Sequence, residues 1–379
     1  MHFRKFRIRN FRNYSDLTLE FPPGVVVFHG PNGQGKTNLM EAFYFLLRGE
    51  SFRPASTESL LQHVDNHVFP CALLEGQVMQ KGLLHDLRMN LAPGQKRLVW
   101  NQNPTTASAL ARRFPVVLFS PESLAAIKEG PDLRRQLLDD VVLTHSAANV
   151  KILRDFSHAL RTRNRILKDA QKGRTDTNQA EKLMESLDPI YLPLAVELTV
   201  ARLQALHALH SDFHKACVYV LERPDVDISV EYLVSSQNAY EWTRSDLLSA
   251  MHKRTMELRA RELESGYSLV GPQKHDVRIL FSGKDSRFFC SQGQQRALIL
   301  SFQMAQILYH WRAHQIHPFL LLDDVLSELD PIRRTNLVNF LRDIPAQIFL
   351  TTTDLSFSMD FGDRRINVFR LEKGSVQAQ

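Results

Sequence analysis

Hydrophobic and polar positions follow different periods in different stretches of the chain. Up to about residue 120 the period is two. In KFRIRNF, Phe6 and Ile8 alternate with Arg7 and Arg9, which predicts a half-buried strand. GVVVFHG is a short β-branched run closed by glycine and predicts a buried parallel strand. CALLEGQVMQ, LLHDLRMNLA and RLVWNQN predict meander strands. From Pro121 to about Ser265 the spacing becomes helical, with apolar residues three and four apart on both sides of the polar loop QKGRTDTNQ. Strands then return in HDVRILF, PFLLLDD, AQIFLTT and INVFRLE. No internal repeat of fixed period is visible. The pattern predicts an α/β domain split in sequence by a helical insertion, with boundaries at 1–122, 123–265 and 266–379. Strands alternating with helices predict a largely parallel, helix-covered sheet.

Composition narrows this only a little. The 379 residues are 44% hydrophobic and 23% charged, ordinary for a soluble globular protein with a sizeable core. Cys71, Cys217 and Cys290 lack the spacing of a zinc site or a disulfide framework and read as reduced thiols. The basic start MHFRKFRIRNFRNY is followed by no apolar stretch or cleavage site, so it is not a secretory signal. No apolar run approaches the roughly 20 residues needed to span a bilayer. The expectation is a cytoplasmic protein with no membrane partner. A net charge of +6 leans toward a polyanion.

Candidate chemistry is concentrated in two segments. GPNGQGKTN, Gly30 to Asn38, fits G-x-x-x-x-G-K-[ST] and lies between a predicted strand and a predicted helix, as the motif requires. Its glycines Gly30, Gly33 and Gly35, with Pro31, Asn32 and Gln34 between them, let backbone N–H groups face a phosphate. Lys36 is placed for the β- and γ-phosphates of ATP, and Thr37 for Mg²⁺. PFLLLDDVLSELD supplies a buried strand that delivers Asp323 at its C-terminal end, to hold Mg²⁺. Asp324 follows, placed to orient or deprotonate the attacking water.

A second anion-binding turn lies far downstream. Ser291, Gly293 and Gln294 open an apolar helical run just before the Asp323 strand. This turn resembles the signature loop of ABC-type ATPases, which contacts the γ-phosphate bound by a second subunit; Ser291 acting as a helix cap is compatible with that role. NFRNY, GPNGQGKTN, FSPESL, GPDLRRQLLD, RNRILK, SQGQQRALIL and LLLDDVLSELD, in this order, resemble the RecF family of SMC-like ABC ATPases. The resemblance implies an ABC/SMC-like P-loop ATPase head with an inserted helical domain. It also implies ATP-dependent homodimerisation, slow Mg²⁺-dependent hydrolysis, and binding to double-stranded and gapped DNA. RecR is the implied partner, and RecO and RecA the implied functional associates, in gap repair. By the same resemblance Asn38 joins the phosphate contacts, Arg12 lies beside the nucleotide, Glu122 falls at the Q-loop, and Ser327 to Asp330 form the D-loop. Three departures stand out: Asp324 replaces the usual glutamate, Thr353 occupies the switch-histidine place, and GPQKHD, Gly271 to Asp276, stands for GPHRDD.

Two weaker features stay open or bland. Arg161, Arg163, Arg165 and Lys168 could track phosphates of DNA, or form a solvated helix end. His207, His210, His214 and Cys217 share a helical stripe, but one helix rarely supplies four tetrahedral ligands, so the polar flank of a bundle helix is expected. The competing functions are an ATPase subunit of another ABC/SMC-type assembly not acting on DNA, including a membrane transporter, and a P-loop kinase. A transporter subunit needs a switch histidine, and a kinase leaves Ser291–Gln295 unexplained.

Overall fold

The computed structural model describes residues 1–64, 67–355, 361–372 and 374–378. The chain divides into two compact units. The first comprises Met1–Ala125, Asp212–Pro224 and Ser291–Gln379; the second comprises Ala126–Ser211 and Asp225–Cys290.

Two six-stranded sheets build the first unit. One is antiparallel and opens with His2–Phe11, flanked by Tyr14–Glu20 and Ala72–Gln80, then Leu83–Ala92, Gln95–Trp100 and Asn103–Thr105. The other runs in the order Val116–Phe119, Phe319–Asp323, Ile348–Thr352, Val25–His29, Ile366–Glu372, Ser375–Ala378, parallel except for its last pair. Helix Lys36–Arg48 packs against strands of both sheets. Its sequence KTNLMEAFYFLLR is apolar nearly all round and is buried from Leu39 to Arg48, as a helix enclosed on every side must be. Phe43 stacks on Phe6 at 4.0 Å and on Phe349 at 4.4 Å, so one ring joins the two sheets. This aromatic core fixes where the N-terminus of the helix, and hence the phosphate loop, sits.

Helices Pro131–His145, Ala147–Gln171 and Arg244–Ser265 and most of helix Thr177–Leu221 form the second unit, together with a four-stranded antiparallel sheet. That sheet corrects the sequence expectation twice. Ile228–Val234 is a strand inside the stretch read as helical; seven residues are too few to break a long helical window, although ISVEYLV alternates. Residues 266–290 belong to this unit and not to the first, because Asp276–Phe281 pairs antiparallel with Ile228–Val234 and the Asp276 carboxylate receives Arg134 at 2.9 and 3.0 Å. Residues 212–224 join the first unit instead, where Phe213 meets Phe302 edge-on at 5.9 Å and Arg312 pairs with Asp212.

Candidate nucleotide site

Strand order brings the two chemistry-bearing segments together. Strand Ile348–Thr352 lies between Phe319–Asp323 and Val25–His29, in the register Asp323↔Thr351 and Thr351↔Phe28. The phosphate loop and Asp323 therefore leave the same C-terminal edge of the sheet, one strand apart, at the kind of crevice where open α/β sheets bind ligands. Two loop glycines are dictated by space. A Cβ on Gly30 would collide with the Leu371 carbonyl, and Gly35 has φ +102° with the Asn13 amide where its Cβ would lie.

The side chains interlock across that edge. Thr37 Oγ1 donates to Asp323 Oδ1 at 3.2 Å, and Thr351 Oγ1 donates to the same oxygen at 2.8 Å. The Asp324 backbone N–H donates to Thr351 Oγ1 at 2.9 Å. Asp323 is only 3% exposed. Burial pushes its carboxyl above the ordinary range, bonds from Thr351 and Thr37 oppose that, and the nearby Glu122 charge adds to it. Glu122 itself is exposed on the single-turn helix Pro121–Leu124. Lys36, 7% exposed, donates through Nζ to the Gly30 carbonyl at 2.7 Å and the Pro31 carbonyl at 2.9 Å. Burial lowers the affinity of its amine for a proton, and Asp324 and Asp323 partly restore it. Pro31, Asn32 and Gly33 form the exposed crest of the loop, and the Gln34 amide approaches the Asn32 carbonyl at 3.5 Å.

A buried acid that sequence reading missed braces the loop. Glu41 is fully buried in helix Lys36–Arg48 and accepts from Arg12 Nε and Nη2 at 2.8 Å each, from Arg53 and from Ser51. Burial pushes this carboxyl up, but the bonds from Arg12, Ser51 and Arg53 outweigh it and hold Glu41 below the usual carboxylate range. Arg12 also donates to the Ser59 carbonyl, and Arg53 to Asn38 Oδ1, at 2.8 Å each. Asn38 in turn donates to Asn13 Oδ1 at 2.8 Å. The one available sequence signal was a lone Glu in the apolar run LMEAFYFLL.

Hard oxygen donors at one buried point suit a small divalent cation. Thr37 Oγ1 and the Asp323 carboxylate are those donors, and a carboxylate that burial disfavours as an anion gains from a cation beside it. Thr353, in the switch-histidine place, is exposed; its carbonyl lies 3.1 Å from His29 Nε2.

The second anion-binding turn is built differently. Ser291 caps helix Gln292–His314: its Oγ accepts from the Gln294 N–H at 3.2 Å, and Gln294 Oε1 accepts from the Ser291 N–H at 2.8 Å. Ser291 is exposed. A Cβ on Gly293 would stand 3.1 Å from Arg333 Nη1. Arg333 pairs with Asp330, and Arg296 pairs with Glu328 at 2.6 Å, so Ser327–Asp330 is tied to the start of this helix.

Comparison with known proteins decides the family. Residues 2–377 match the model for the RecF/RecN/SMC N-terminal domain. A DNA replication and repair protein RecF from Heliobacterium modesticaldum is 32% identical over 376 residues, covering 99% of each chain. The chain belongs to the RecF family. RecF of Listeria innocua is likewise 32% identical, over 383 residues and the whole of both chains. Among solved structures, the recombination mediator protein RecF of the RecFOR pathway, in its ATP form, superposes with a TM-score of 0.85 at 27% identity, over 100% of this chain and 97% of that one. An Smc head bound to the C-winged helix domain of ScpA reaches 0.56 at 14% identity, over 100% of this chain and 97% of that one, a likeness of fold.

The remaining candidates of this RecF-family chain separate by burial. Arg163 is corrected: it is 0% exposed, paired with Glu262 at 2.9 and 2.8 Å and stacked over Tyr191, so it belongs to the helical core and not to a DNA-facing surface. The signal was present. Phe156, Ala159, Arg163 and Leu167 share one buried stripe of helix Ala147–Gln171. Arg161, Arg165 and Lys168 are exposed on another. His207, His210 and His214 are exposed whereas Cys217 is buried, with its thiol pushed up to about 12 by burial. Among the described residues no cluster of three or more His, Cys, Asp or Glu forms a metal site. In GPQKHD, His275 is buried and held neutral, down to about 3, by burial and by Arg202 and Arg135; the segment is scaffolding of the second unit. None of the helices in the described residues is long and apolar enough to cross a membrane.

Proposed function

We propose that this protein is an ATP-dependent switch acting on DNA in replication and in the repair of single-strand gaps. The observation that carries the reading is the meeting of Lys36, Thr37, Asp323 and Asp324 at one sheet edge, where Thr37 bonds directly to Asp323 and the Thr351 hydroxyl ties Asp323 to the Asp324 backbone. The relatives bear the name of DNA replication and repair proteins, and a solved relative carries ATP. In this reading the phosphates of ATP replace the Gly30 and Pro31 carbonyls as partners of Lys36, and the loop amides surround them. Arg12 and Asn38, braced by Glu41 and Arg53, flank the nucleotide. Thr37 and Asp323 would hold Mg²⁺, which would neutralise the charge that develops on the phosphates. Asp324 orients the attacking water and takes its proton, with Glu122 near the same point. A carboxylate one methylene shorter than glutamate fits slow turnover, so hydrolysis resets the switch.

Ser291, Gly293 and Gln294 serve a second copy. Ser291 is exposed, Gly293 and Gln294 are half-buried, and together they form a preformed helix N-terminus that binds the γ-phosphate held by that copy, so two nucleotides join two chains. Phe288 and Phe289, 76% and 66% exposed just before this turn, offer apolar surface that a dimer would cover. Duplex DNA engages exposed cations such as Arg161, Arg165 and Lys168 through its phosphates. The cellular setting is cytoplasmic, with RecR as the direct partner and with RecO and RecA acting in the same process. Gel filtration of the purified protein tests the core of this. With ATP and Mg²⁺ it should elute as a dimer that retains duplex or gapped DNA, and without nucleotide as a monomer. A nucleotide-bound monomer that retains DNA equally well overturns the reading.

A further inference from the structure

Thr351 is a buried hydroxyl, 1% exposed, on the strand between the phosphate-loop strand and the Asp323 strand. No local motif marks it, yet it serves both candidate catalytic acids at once. Its hydroxyl hydrogen goes to Asp323 Oδ1 at 2.8 Å, and its lone pair receives the Asp324 N–H at 2.9 Å. The second contact matters because of the shape of the backbone there. Asp324 has φ +50° and ψ +21°, a left-handed conformation that non-glycine residues adopt only at a steric cost. Both of its backbone polar groups are captured by side chains: the N–H by Thr351, and the carbonyl by Ser327 Oγ at 2.7 Å. The left-handed residue turns the chain out of the strand and into the short turn Val325–Glu328. In that pose the Asp324 carboxylate stands close enough to Lys36 to act on its charge.

We propose that Thr351 is a positioning residue for hydrolysis: its single hydroxyl locks Asp324 in the left-handed pose that aims the carboxylate at the phosphate side, and with the same atom fixes the rotamer of Asp323. The proposal rests on the reading of the site as an ATPase and adds a group that acts through another. Because Thr351 stands opposite Asp323 across the ladder, the hydroxyl that holds the Asp324 N–H is itself placed by the sheet register and not by a flexible turn. Valine has the same shape and lacks the donor and the acceptor; serine keeps both.

A double-mutant cycle tests this, using full-length protein with steady-state turnover, nucleotide affinity by fluorescent ATP, and melting temperature. Thr351→Val should lower kcat by about 100-fold, the scale of an approximately 1 Å misplacement, with KM and ATP affinity retained. Thr351→Ser should restore most of the loss. In an Asp324→Asn background, Thr351→Val should add little, because the residue it positions is already disabled. Additive losses in the double variant overturn the inference alone. So does a Thr351→Val protein whose melting temperature, affinity and kcat fall together without rescue by serine. Unchanged turnover in Asp324→Asn by itself overturns the reading of the site, and this inference with it.

Discussion

At Gly30–Thr37 the reactive side chains are already engaged within the same unit, whereas at Ser291–Gln294 the turn is capped by its own residues and open to solvent. Both are helix N-termini able to meet an anion. The first sits over a buried lysine and a buried carboxylate, where low dielectric strengthens every charge. The second has no such depth; its strongest ties run sideways, through Arg296 to Glu328. In the proposed function one turn is half of a reaction site, and the other is a surface that would become a site when a second copy is pressed against it. That difference is what makes a paired assembly the natural reading.

Substitutions can break this contrast. Lys36→Met should weaken ATP binding by about 100-fold or more, the scale of losing charge-assisted phosphate bonds, and dimers should vanish with it. Equilibrium dialysis with labelled ATP would expose an unchanged affinity, and with it a wrong placement of the phosphates. Asp324→Asn should lower hydrolysis by about 100-fold while ATP stays bound and dimers persist; phosphate release measured beside gel filtration separates these effects. Ser291→Arg should leave ATP binding by the monomer intact and remove the dimer. If that variant loses monomer binding, the two turns act within one copy, and the contrast fails.

The smallest effect concerns the brace beneath the first turn. Glu41 is held below its unfolded value, so its contribution to stability is complete above the ordinary glutamate range, near 4.3, and is lost as pH falls through its depressed value. Glu41→Gln should lower stability at neutral pH and flatten the acid limb of the unfolding curve, as read by circular dichroism from pH 7 to pH 3. A variant with the wild-type acid limb would show that Arg12 and Arg53 do not depend on this carboxylate.

Much of the fold and the candidate site was legible because the signals were local. GPNGQGKTN needs only a strand before it and a helix after it, and FLLLDD needs only its four apolar residues to become a central strand. Ser291 as an N-cap was legible for the same reason, since a capping box lies within three residues. Arg163 was misread although its helical angle, in step with Phe156 and Leu167, already placed it inward. Composition shows a cluster of cations, and only the helical period separates the buried Arg163 from its exposed neighbours. The strand Ile228–Val234 and the ownership of residues 266–290 were lost because a strand acquires its meaning from its partner.

The sequence by itself determined the phosphate loop, the acid-bearing strand and the capped turn, because each is held by contacts among residues a few positions apart, whose geometry the chain's own dihedrals set. Only the tertiary structure decided that strand Ile348–Thr352 lies between the other two, and so that Thr351 bridges Asp323 and Asp324. Only it decided that Glu41, alone in an apolar helix, gathers Arg12 and Arg53. The reason is that sheet order and burial are set by packing across the whole core, where residues hundreds of positions apart compete for one place, and no window along the chain contains that competition.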